Sequence, residues 1–119
     1  MQYLLLIYDD EQLWARMSEE QTGKLLGEYN DFTRDIVTSG HSQGGNALQP
    51  VATATTVRVR DGKTVTTDGP FAETKEQLGG YYLIEAKDLD DAIAIAARVP
   101  SSRYGSIEIR PIMTFDDAP

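Results

Sequence analysis

Alternation opens the chain. In MQYLLLIY, Met1 to Tyr8, Leu4 and Leu6 fall on one side of a strand and Leu5 and Ile7 on the other, because successive side chains of extended backbone point to opposite faces. Both faces are apolar. Asp10 to Met17 then carries Leu13, Trp14 and Met17 on one stripe of one or two helical turns. From Ser18 the period lengthens: Leu25, Tyr29, Phe32 and Ile36 recur at helical offsets and predict a helix with one buried face. Ser18 and Gln21 have capping-box spacing at its start, and Gly40 stops it. Gly23 and Gly27 lie inside it at a cost of about 1 kcal/mol each relative to alanine, which close packing against a neighbour would account for.

HSQGGNALQP reads as a loop with a short strand at its end. In ATATTVRVRDGKTVTT, β-branched and polar residues alternate around Asp61-Gly62, the pattern of a hairpin with a tight turn. GYYLIEA is a second strand apolar on both faces. DLDDAIAIAARVP predicts a helix capped by Asp88, with Leu89, Ala92, Ile93, Ala96 and Ala97 inward and Pro100 as the stop. GSIEIRPI is the last strand, Ile107 and Ile109 inward, and residues 113–119 form an acidic tail. The order of elements predicts an α+β fold, a single ferredoxin-like domain over residues 1–112. It has two helices on one face of an antiparallel sheet and an extra β-hairpin. Two helices cover one face, whereas the strands are apolar on both. A second copy of the sheet covers the rest most economically, so a homodimer with sheets packed face to face is expected.

TDGPFAETKEQLGGYYLIEA, together with MQYLLLIYDDE, ALQP, TATTVRVRDGK and SIEIRPI, resembles the DGPF branch of the YCII-related family from about Met1 to Ile112. The resemblance implies a ferredoxin-like domain paired into a dimeric α+β barrel. It also implies a sigma factor as a partner, since some members neighbour or are fused to extracytoplasmic-function sigma factors. One relative looks like a dehydrochlorinase of hydroxylated aromatic breakdown. Shorter relatives carry a His and an Asp proposed as a catalytic pair. Here Tyr29 and Thr38 stand at those places, so the pair is not carried over.

Charge and composition narrow the partners. A formal net charge of −8, with 11 basic residues spread along 119, argues against nucleic acid. Arg58, Arg60 and Lys63 are the nearest thing to a basic cluster, and a solvated strand face explains them. No cysteine and one histidine leave no thiol chemistry and no zinc site. Asp88, Asp90 and Asp91 are better used at a helix start than on magnesium. No cofactor or metal is expected. No signal peptide or membrane span is legible, so the cytoplasm is the expected location.

Several groups could carry chemistry. Asp68-Gly69-Pro70 is first a turn, with aspartate accepting from the backbone. It could also fix the Asp68 carboxylate at a cleft rim facing Phe71, as a general base. Glu73 and Lys75 are a solvated ion pair, or a cleft pair in which Lys75 holds an anion and Glu73 moves a proton; whether they lie on a strand or a helical turn is open. His41, past a helix stop, is the natural acid/base near neutrality. Gly44-Gly45 lacks the context of a phosphate loop. Aromatic residues on the open sheet face, Tyr82 among the candidates, would line any cavity between two sheets. Two functions follow: a non-catalytic module binding a small molecule or a protein, or a cofactor-free lyase or isomerase acting on a small, partly apolar acid.

Overall fold

The structure, a computed structural model, describes residues 1–115. Its elements run β1 (Gln2–Asp9), α1 (Glu11–Arg16), α2 (Glu19–Thr38), β2 (Ser42–Ala47), β3 (Thr55–Arg60), β4 (Lys63–Asp68), β5 (Gln77–Glu85), α3 (Leu89–Ala96) and β6 (Ser106–Pro111). Short 3₁₀ turns occupy Val51–Thr53 and Pro100–Arg103. Four strands form one antiparallel sheet in the order β2-β5-β1-β6, and β3 and β4 form a separate two-stranded sheet. This strand order, with α2 and α3 as the crossovers, is the ferredoxin-like α+β arrangement.

The core lies between the sheet and its helices. Tyr3, Leu5 and Ile7 of β1 and Ile84 of β5 meet Phe32 and Ile36 of α2, and Ala92, Ile95 and Ala96 of α3. Ile107 and Ile109 of β6 pack against this cluster from the edge. The helix starts are built as their sequences specify. Ser18 accepts from the Gln21 amide while the Gln21 side chain accepts from the Ser18 amide. The Asp88 side chain accepts from the Asp91 amide, and Asp91 from that of Lys87. Gly40 closes α2 in a Schellman motif, the His41 amide reaching the Ile36 carbonyl at 3.0 Å.

The opposite face of the sheet carries Leu4 and Leu6 of β1 beside Leu83 and Tyr81 of β5, with Glu108 and Arg110 of β6 at its margin. Among the described residues no helix lies on it. The hairpin projects instead of packing: Val57 and Val59 are each 60% exposed. The radius of gyration, 16.5 Å, exceeds the ~13.5 Å of a compact chain of this length. Asp61 and Gly62 both take positive φ, the primed turn that matches strand twist.

Four expectations change. Gly44-Gly45 lies in a strand, not a loop: β2 pairs with β5 through a bulge at Ser42/Gly44, where Gly44 takes φ 135°. On α3, Leu89, Ile93 and Ala97 face outward and Ile95 inward, one step out of the predicted phase. Gly79 and Gly80 fall inside β5, which begins at Gln77. Gly23 and Gly27 touch no neighbour; a β-carbon at either would meet open space. The acidic tail is described only to Phe115, which is exposed, and its aspartates lie outside the described residues. Among the described residues no helix is long and apolar enough to cross a membrane.

Candidate functional site

The inward side of β1 reads Tyr3, Leu5, Ile7, Asp9: three apolar side chains and then a carboxylate, all buried. Asp9 is 6% exposed, and a charge so placed needs partners. Oδ2 accepts from the Trp14 indole N–H at 2.9 Å and from the Ser101 hydroxyl at 2.9 Å. Ser101, fully buried in the 3₁₀ turn after α3, accepts in turn from the Tyr29 hydroxyl. Since a carboxylate can only accept, the serine proton is committed to Asp9 and the tyrosine proton to the serine oxygen. The result is a directed chain, Tyr29 to Ser101 to Asp9, joining α2, the 3₁₀ turn and β1, with α1 adding Trp14.

Neither bond uses Oδ1 of Asp9. That oxygen faces Gly79, whose hypothetical β-carbon would lie 3.5 Å from it. Gly79 is the extra residue of a β-bulge, for Ile7 pairs with Gly80 and Tyr8 with Leu78. Bulges redirect side chains beside functional sites, and a glycine leaves this side of the carboxylate without a covering side chain. Burial raises the Tyr29 pKa above its ordinary value, and the Asp9 charge adds to the rise against the lowering effect of the Ser101 hydrogen bond. Tyr29 is therefore a fixed, protonated donor. The Trp14 and Tyr29 rings lie 6.5 Å apart over the cluster.

The residues singled out in the sequence are spread over both ends of the sheet. Asp68 ends β4 with its carboxylate exposed, and the turn is held instead by the Gly69 amide on the Ala54 carbonyl at 2.7 Å. Phe71 is 80% exposed with the Arg58 guanidinium 5.8 Å from its ring centre. Glu73 and Lys75 are exposed in an irregular segment, neither strand nor helical turn. Tyr82 lies on the helix side of the sheet, edge-on to Phe32 at 5.2 Å and bonded to the Thr33 hydroxyl at 2.7 Å, so it does not line the open face. His41 bonds Ser39 through Nδ1 at 2.7 Å and stands 3.6 Å from Asp91. Its carbonyl accepts from Glu85, at the far end of β5 from the 69–76 segment, about 27 Å away at ordinary strand rise. Asp68, Phe71 and their neighbours thus share one end and His41 the other. Among the described residues no group of three or more His, Asp or Glu is placed to hold a metal.

Sequence reasoning missed Asp9, Trp14 and Ser101 as a site. The signal was the carboxylate at the next inward position of an alternating apolar strand.

Three comparisons bear on the chain. The YCII-related domain profile matches residues 1–116. Uncharacterized protein R00369 of Rhizobium meliloti (strain 1021) is 36% identical over 117 residues, covering 97% of this chain and 94% of the relative. Among solved structures, 5-chloro-2-hydroxyhydroquinone dehydrochlorinase (TftG) from Burkholderia phenoliruptrix AC1100, in complex with 2,5-dihydroxybenzoquinone, superposes with a TM-score of 0.54. It covers 95% of this chain and 94% of its own at 13% identity, a likeness of fold.

Proposed function

The chain belongs to the YCII-related family, and from that premise we propose that it is a cofactor-free enzyme of proton-transfer chemistry, an elimination or isomerisation on a small, partly apolar acid. Asp9 is the base. The observation that carries this reading is the buried carboxylate held through one oxygen by Trp14 and Ser101, with the other oxygen turned to the bare side at Gly79. A base fixed by two donors needs no reorientation at the moment of transfer. Oδ1 takes a proton from carbon. In an elimination the C–H electron pair becomes the new double bond and the leaving group departs as an anion; in an isomerisation the proton returns at another carbon. Tyr29 is a positioning residue, keeping the Ser101 proton on Asp9. Loss of hydrogen chloride, the reaction for which TftG is named, is an elimination of this class and supports the class, not the substrate.

The test is deuterium exchange into a panel of aromatic and dicarboxylic acids in heavy water, followed by NMR, with chloride release from a chlorinated hydroxyhydroquinone in parallel. Wild type exchanges protons on at least one acid, and Asp9→Asn slows exchange by about 10²-fold or more, as removal of a general base does. Trp14, the sole tryptophan, reports that the variant is folded. Exchange undiminished in Asp9→Asn, or absent across the panel, removes the proposal.

The bare sheet face supports a homodimer. Leu4, Leu6, Tyr81 and Leu83 form an apolar patch that a second copy covers. Light scattering gives a dimer at micromolar concentration, and Leu6→Asp gives a monomer; a monomeric wild type overturns the pairing.

A further inference from the structure

An open groove of about 440 Å³ runs between α1, the first half of α2 and the turn after Pro100–Arg103, a volume within the range of small-ligand sites. Its floor is apolar, formed by Leu13, Met17 and the buried Leu25. Three cations stand on its rim: Arg16, Lys24 and Arg103. Arg103 is already engaged. Its guanidinium pairs with Glu28, its Nε donates to the Pro100 carbonyl at 3.2 Å, and it stacks 5.2 Å from the centre of the Tyr104 ring.

Arg16 and Lys24 differ. Neither has an ion-pair or hydrogen-bond partner among the described residues. Lys24 lies four residues after Glu20 and four before Glu28, the spacing at which helical ion pairs form. It pairs with neither, and Glu28 is held by Arg103. Four of the 11 basic side chains, Arg34, Arg98, Arg103 and Arg110, pair with a carboxylate; of the others, Arg16 and Lys24 are the two that line this groove. Two that remain unpaired above one greasy floor make a concave surface matched to a negative group carried on an apolar body.

We propose that this groove binds a small organic carboxylate, its carboxylate between Arg16 and Lys24 and its ring or chain against Leu13, Met17 and Leu25. Arginine offers a carboxylate two parallel donors and lysine adds a mobile third. The apolar floor supplies the remainder by removing the ligand body from water. The assignment goes beyond the proposed reaction and rests on it only for the class of ligand, a small acid with an apolar body. Leu25 lies one turn before Tyr29 on α2, so the groove and the Asp9 cluster share a helix face.

Isothermal titration with benzoate tests it, with benzyl alcohol as the uncharged counterpart and inorganic phosphate as the anion without an apolar body. Wild type binds benzoate saturably at millimolar concentration, and both controls bind more weakly. Arg16→Gln/Lys24→Gln weakens benzoate by about tenfold or more, the loss expected of charge-assisted contacts. Both positions are exposed, so the variant folds. Asp9→Asn retains benzoate affinity, which separates the two proposals: a wild type that binds benzoate but exchanges no protons sinks only the reaction. Unchanged affinity in the double variant, equal binding of benzyl alcohol or phosphate, or no saturable binding to wild type sinks the groove.

Discussion

Replacing Gly105 with alanine strikes the join between β1 and β6. A β-carbon at this position would lie 2.1 Å from the Tyr8 carbonyl oxygen and 3.0 Å from both Cα and Cβ of Asp9. Ordinary contact begins at 3.4 Å, so the first approach is too close by more than an ångström. The obstructing atom is main chain and cannot rotate away. Tyr8 is held in register with Ser106, and the Gly105 amide is tied to the Ser101 carbonyl at 2.8 Å. Relief requires the start of β6 to lift from β1 or the Ser101 turn to shift. Overpacking costs typically about 1–3 kcal/mol, and a rigid backbone obstacle places this case at the upper end. About 3 kcal/mol corresponds to a fall in Tm on the order of 10 °C for a domain of this size. Urea and thermal unfolding followed by Trp14 emission measure it, and the same signal reads the Asp9 site because the indole N–H is bonded to that carboxylate. An m value unchanged from wild type shows that the loss is one of stability. A Gly105→Ala protein within about 1 kcal/mol of wild type, the ordinary effect of a point substitution, refutes the close approach of β1 and β6 described here.

Two further outcomes are expected. Gly23→Ala, whose new methyl meets open space, stabilises the protein by up to ~1 kcal/mol through helix propensity; a loss of stability in the same unfolding assay would mean that a close neighbour occupies that face. The raised Tyr29 pKa makes the folded state bind its proton more tightly than the unfolded chain, whose tyrosines titrate near pH 10. That contribution is fully present below about pH 10 and is lost as pH rises through the raised value. Melting curves between pH 8 and 11 therefore fall more steeply for wild type than for Tyr29→Phe, and parallel profiles would count against burial of the phenol.

The fold was legible where residue pattern and backbone geometry agree. Tyr3, Leu5 and Ile7 against Leu4 and Leu6, the Ser18–Gln21 box, and Asp61-Gly62 each specify local structure through their own side chains. Three places escaped. β2, Ser42–Ala47, has no alternation to read; its backbone is a strand because β5 offers an edge, an effect set 33 to 42 residues away. In α3 alanine and isoleucine fill the last five of eight positions, so more than one phase buries similar apolar area and tertiary packing selects Ile95 over Ile93. The candidate site draws single polar residues from β1, α1, α2 and the 3₁₀ turn; Asp9 and Ser101 are 92 residues apart. No short motif spans such a cluster. The DGPF segment drew attention because its chemistry is concentrated in sequence, whereas Asp68 and Phe71 lie exposed at the base of the hairpin.

Among the described residues the projecting arm of β3 and β4 has two unpaired edges and a valine face in solvent, the makings of strand-by-strand stacking between molecules. Arg60 sits directly across from Lys63 at its tip, with Arg58 two residues back on the same side. Like charges facing each other weaken the hairpin itself. They also oblige any two arms approaching edge to edge to bring together three positive charges apiece. A basic trio on a markedly acidic molecule thus opposes the edge-to-edge approach of two arms at the cost of some stability in the hairpin that carries it.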